Sequence, residues 1–119
     1  MDPEQLAENR AQLARLARQK KRRRVPHDLP CDWQPATVVN PEDNQPFTDA
    51  GAWEFIGQLL EDNEGQEVEV VSLDRPADKV AYVMKRVLPG GKLYIKVHFG
   101  HGPSILGRSF HYSDYGTQS

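Results

Sequence analysis

Between residues 92 and 111 the chain sets out ammonium, hydroxyl, imidazole and guanidinium groups at close intervals. Lys92, Tyr94, Lys96 and His98 alternate in one run, Ser109 and His111 follow in the next, and Arg108 stands beside them. Such a set suits a polyanion. Lysine and arginine contact phosphate, and tyrosine and histidine rings stack on unpaired bases. Metal-free cleavage of RNA asks for a general base at the 2′-hydroxyl, a general acid at the leaving oxygen and cations around phosphorus. Histidine titrates near neutral pH, so His98 or His111 fits the proton-transfer roles. Lys96 and Arg108 fit stabilisation of the developing charge. Tyr94 fits orientation of the hydroxyl or donation of a proton. The candidate catalytic set is therefore Tyr94, Lys96, Arg108 and His111. The candidate RNA contacts are Lys85 or Arg86, Lys92, His98 and Ser109.

Other chemistries fit less well. Neither run carries a carboxylate, which excludes paired-carboxylate glycoside hydrolysis there and a hard-cation site. His98, His101 and His111 could hold zinc only if the fold gathered them, and their spacing does not require it. No glycine-rich phosphate loop and no nucleophile elbow occurs. No metal and no other cofactor is expected. A plainer reading stays open: any half-exposed strand turns alternate polar residues to water.

The elements that must position these groups follow from periodicity. Leu93, Ile95, Val97 and Phe99 interleave with Lys92, Tyr94, Lys96 and His98. Side chains alternate across a strand, so the first set faces a core and the second faces out. In the next run Leu106 and Phe110 point inward and Ser109 and His111 outward. Arg108 shares the inward parity, and Gly107 marks the place for a bulge that turns it out. Four strand-like runs, at 68–73, 79–87, 92–100 and 104–112, are separated by turn residues. Their short links make the ladder antiparallel. In the run at 79–87 both faces are mixed, so Lys85 and Arg86 remain alternatives.

Upstream, Ala52, Phe55, Ile56, Leu59 and Leu60 form one apolar helical stripe widened by Trp53, with Thr48 or Asp49 as cap. Asn63 and Gly65 suit a left-handed turn at its end. Asp2 and Pro3 open an earlier helix expected to run to about Arg23, where Pro26 stops it. Prolines 26, 30, 35, 41 and 46 mark an irregular wrap anchored by Trp33 and Phe47. The expected fold is α+β: N-terminal helices packed on a curved four-stranded antiparallel sheet. Its organisation is a basic N-terminal helix (1–24), a proline-rich wrapping segment (25–51), and a helix plus β-meander core (52–119).

Charge is segregated along the chain. Residues 1–24 hold eight Lys/Arg and three Asp/Glu; residues 25–74 hold twelve Asp/Glu and no Lys/Arg; residues 75–119 hold seven Lys/Arg and two Asp/Glu. Either the basic blocks neutralise the acidic one within the fold, or a basic sheet face meets a polyanion. No apolar run reaches the length of a membrane span, so no membrane partner is expected. No apolar stretch follows the first charges, so a secretory leader is not expected. A single cysteine, Cys31, forms no internal disulfide. A cytoplasmic setting is expected.

The order of helix and meander, with Leu93-Tyr94-Ile95-Lys96-Val97 and Gly107-Arg108-Ser109-Phe110-His111-Tyr112, resembles the RelE-like toxins. These are bacterial messenger-RNA interferases of toxin–antitoxin operons. Within them the chain is most similar to the MqsR-type toxins, in which a Tyr-x-Lys strand precedes a final strand ending in Ser-Phe-Lys. The resemblance covers roughly residues 53–112. It puts Tyr94 and Lys96 in the penultimate-strand positions, His111 in the basic position after Ser-Phe, and Lys85 or Arg86 in the preceding strand. It implies a RelE-like fold, metal-independent endoribonuclease activity on mRNA, free or on the ribosome, and neutralisation by a cognate antitoxin. The alternative is a non-catalytic RNA- or protein-binding module, such as one carried by a phage or mobile element.

Overall fold

The computed structural model describes residues 1–113, so the end of the expected core unit, residues 114–119, lies outside the described residues. Helix α1 spans Pro3–Ala17. Asp2 accepts a hydrogen bond from the Gln5 amide at 2.8 Å and Pro3 occupies the first turn, where its missing N–H costs nothing. Leu13, Ala14, Leu16 and Ala17 are buried. The helix therefore belongs to the core.

The basic run does not continue this helix. Lys20–Arg22 form a short 3-10 turn and Arg23–Arg24 form strand β1. Five consecutive cations repel one another on a helix, and Arg23 instead donates through Nε to the Ala17 carbonyl at 2.7 Å. That bond satisfies an acceptor left open at the helix end.

Strand β2, Asp32–Trp33, follows. A separate two-stranded hairpin joins β3, Val39–Asn40, to β4, Gln45–Pro46. Helix α2 spans Asp49–Glu61, with the Thr48 hydroxyl accepting from the Gly51 amide at 2.9 Å. Its buried stripe is Ala52, Trp53, Ile56, Leu59 and Leu60. Each large aliphatic residue so buried stabilises by about 1.5–3 kcal/mol. The expected left-handed turn at Asn63–Gly65 is absent. Arg10 of α1 ends the helix instead, donating to the carbonyls of Leu59, Leu60 and Asp62 at 2.9–3.0 Å. A guanidinium there also complements the helix dipole.

The meander consists of β5 (Glu69–Ser72), β6 (Val80–Leu88), β7 (Gly91–Phe99) and β8 (Ile105–Tyr112), each antiparallel to the next. The sheet has six strands rather than the expected four. Strands β1 and β2 both lie parallel along the free edge of β8, Arg23 opposite Ile105 and Asp32 opposite Ser109. The inner face, with Tyr82, Met84, Leu93, Ile95, Val97 and Phe110, packs in one cluster with α1 and α2. Trp33 pins the wrapping segment to this cluster, its ring 4.8 Å from Trp53 and 5.5 Å from Phe110. No helix among the described residues is long and apolar enough to cross a membrane.

Candidate functional site

The outer face is built in transverse rows. Lys85, Tyr94 and His111 stand opposite one another on β6, β7 and β8. In the adjoining row Glu69, Val83, Lys96, Ser109 and Asp32 run from β5 across to β2. The parity expected for Tyr94, Lys96, Ser109 and His111 is thus the observed one. Lys92 lies on the same face, exposed, one row further along opposite Val87. An open hollow of about 520 Å³ is lined by Asp32, Lys85, Tyr94, Ser109, His111 and Ser113.

The Tyr94 and His111 rings lie 5.6 Å apart at 33°. His111 Nδ1 is 2.8 Å from the Tyr112 carbonyl, a distance at which the nitrogen carries the proton and donates it. Its other nitrogen, Nε2, faces Asp32 Oδ2 at 3.4 Å. Burial, helped by the Glu69 carboxylate, pushes the Tyr94 phenol above its ordinary value, so it keeps its proton at neutral pH. Lys85 meets Glu69 only at 4.0 Å, with both side chains largely exposed. Lys96 forms no ion pair among the described residues.

Three expected members are elsewhere. Arg86 lies across from Leu93 on the helix-facing side of the sheet, and its guanidinium donates to Gln66 Oε1 at 3.2 Å. Parity therefore resolves the pair in favour of Lys85. His98 keeps the outward parity but is only 2% exposed. Arg108 is turned outward as expected, because Val97 pairs with Gly107 and Lys96 with Ser109, leaving Arg108 as the extra residue of a bulge. It does not reach solvent, however. Its Nε donates to the Pro30 carbonyl at 2.6 Å and its Nη1 to the Arg75 carbonyl at 2.8 Å and His98 Nε2 at 3.1 Å. Two loops are thereby tied down over this end of the face. His98 Nδ1 donates to the Phe99 carbonyl at 2.9 Å. Burial above all, with Arg108, Lys79 and Lys96 nearby, lowers the His98 pKa and keeps the ring neutral. Arg108 and His98 are structural, and neither can contact a phosphate on the surface.

Two carboxylates border the face that the two-strand reading did not supply, Asp32 from β2 and Glu69 from β5. Strand β2 has two residues and no periodicity to announce it. The signal available was Trp33, an aromatic that had to be buried somewhere beside an exposed Asp32. Among the described residues no group of three His, Cys, Asp or Glu has the geometry to hold a metal ion. No family model, no curated protein and no solved structure matches the chain.

Proposed function

We propose that this chain is a metal-independent endoribonuclease that works from the open end of the sheet's outer face. The observation that carries the reading is one juxtaposition: Tyr94 and His111 at stacking distance, with Lys85 and Ser109, around an open hollow, and Lys96 in the adjoining row opposite Ser109. In the reaction the RNA 2′-oxygen attacks the adjacent phosphorus and the bond to the 5′-oxygen breaks. His111 accepts the 2′-hydroxyl proton at Nε2, since Nδ1 is committed to the Tyr112 carbonyl. Tyr94 donates its proton to the departing 5′-oxygen, and the products are a 2′,3′-cyclic phosphate and a free 5′-hydroxyl. The imidazolium then returns its proton, through water, to the phenolate. Lys96 and Lys85 offset the charge that develops on the phosphoryl oxygens. Arg108 takes no part. The resemblance to RelE-like and MqsR-type toxins extends the reading to a growth-arresting toxin acting on mRNA and held in check by an antitoxin.

Purified protein incubated with end-labelled RNA tests this. Cleavage should persist in excess chelator and leave cyclic phosphate ends. Tyr94→Phe and Lys96→Ala should reduce it strongly, and His111→Ala by roughly 10²–10⁴-fold, the usual range for a lost general base. All three variants should keep the wild-type fold by circular dichroism. One observation favours a second reading, a non-catalytic RNA-binding module: the arginine expected to stabilise the transition state is buried. Shifted but intact RNA in the same assay would decide for it.

A further inference from the structure

We infer that Asp32, contributed by the wrapping segment, is the positioning residue of His111; this rests on the ribonuclease reading of the same site. One carboxylate oxygen is held by the protein and the other is aimed at the imidazole. Oδ1 accepts from Gln34 Nε2 at 2.6 Å, and Oδ2 faces His111 Nε2 at 3.4 Å. Asp32 is itself fixed from both sides. Its backbone pairs with Ser109, the Gln34 amide donates to the Phe110 carbonyl at 2.8 Å, and Trp33 between them packs on Trp53 and Phe110.

The distance of 3.4 Å gives the pair its function. It is longer than a good N–H···O hydrogen bond and well within ion-pair range. In the neutral ring the Nε2 lone pair is therefore not tied up and can receive a proton from substrate. Once the proton arrives, the imidazolium meets a carboxylate already in place, so the charge created in the step is stabilised without reorganisation. With Nδ1 held by the Tyr112 carbonyl and the ring face against Tyr94, the imidazole is fixed at three points.

The test compares Asp32→Asn, Asp32→Ala and Asp32→Glu in the full chain, by steady-state cleavage of a labelled RNA and by NMR of the His111 ring. Asp32→Asn and Asp32→Ala should lower kcat by about 10- to 100-fold, by analogy with the loss on removing an outer-shell partner of a metal-bound histidine. KM should be little changed, and Asp32→Glu should recover part of the rate. In the background of His111→Ala, removing Asp32 should cost nothing further. Wild-type kcat in Asp32→Asn, or losses that simply add in the double variant, would overturn the inference. If the unaltered chain cleaves no RNA, the ribonuclease reading fails on its own, and NMR still judges the pair. His111 ring resonances displaced in Asp32→Ala would uphold the positioning role, and unchanged resonances would remove it.

Discussion

The Arg108 guanidinium enters a region where no carboxylate among the described residues opposes it, and it is held by two carbonyl oxygens and an imidazole nitrogen. Replacing it by alanine leaves the buried His98 Nε2 unpaired and gives the Pro30 and Arg75 carbonyls, on exposed residues, over to water. At roughly 1–3 kcal/mol for a buried unsatisfied group, Arg108→Ala should lose about 1–3 kcal/mol of stability, read as a shift in denaturant midpoint. Its neighbour His98 makes a pH prediction with a definite sign. The folded ring has a lowered pKa, so below the ordinary imidazole value of 6.5 the unfolded chain binds the proton more readily. Stability from this group is complete above about pH 6.5. It declines as pH falls further, until the folded ring also protonates. Thermal unfolding followed from pH 7.5 to 5 should show that decline, and His98→Gln should flatten it. Neither behaviour is legible in the residue pattern. Alternation placed His98 on the right side of the strand, but no local rule announces that loops around Pro30 and Arg75 close over that end of it.

At the scale of elements, what was readable is what repeats. The stripe at 52–60 has helical period, and of the two expected caps, Thr48 and Asp49, it is Thr48 that opens α2. The four long strands fall within a residue of their expected limits because alternation and turn residues mark both. Strands β1 and β2 escaped notice for a physical reason. Each has two residues, pairs in parallel, and takes its partner from about 80 residues away. The basic run misled for another reason: helix propensity extended it, while charge repulsion and the Arg23–Ala17 bond ended it at Ala17. The bulge was legible from Gly107, where the packing leaves no room for a side chain. A Cβ there would lie 2.5 Å from the Trp33 ring. Gly107→Ala should therefore cost about 1–3 kcal/mol by overpacking. It should also displace β2, so tryptophan fluorescence and the melting temperature should change together. A melting temperature within a degree of wild type would contradict this packing.

For the molecule as a whole, the opposed charge blocks have partly separate fates. Arg18 reaches Glu61 at 2.8 Å and Glu54 at 3.9 Å, and Arg23 reaches Glu54 at 3.6 Å, so part of the basic block does neutralise α2. Lys20, Lys21 and Arg22 remain exposed. Exposed pairs of this kind contribute little, about 0–1 kcal/mol each. The apolar side of α1 contributes more. Leu13, Leu16 and Ala17 sit in the same core as α2 and the sheet, and Arg10 ends α2. Deleting residues 1–24 should thus abolish cooperative unfolding, measured by circular dichroism, rather than uncover a masked surface. A truncated chain that melts sharply would show the N-terminal block to be dispensable. The expected division of the chain into an arm, a wrap and a core is, physically, three contributions to one hydrophobic cluster.

The loops that cover Arg108 also convert its charge from a contact into a standing potential. Dissolved ions screen exposed lysines efficiently and a cation inside the fold far less. Its pull extends to His98, where it adds to burial in lowering the pKa, and to Cys31, where it partly offsets the rise that burial imposes. Concentrated electrolyte should therefore weaken the share of anion attraction owed to Lys85 and Lys92 more steeply than the share owed to Arg108.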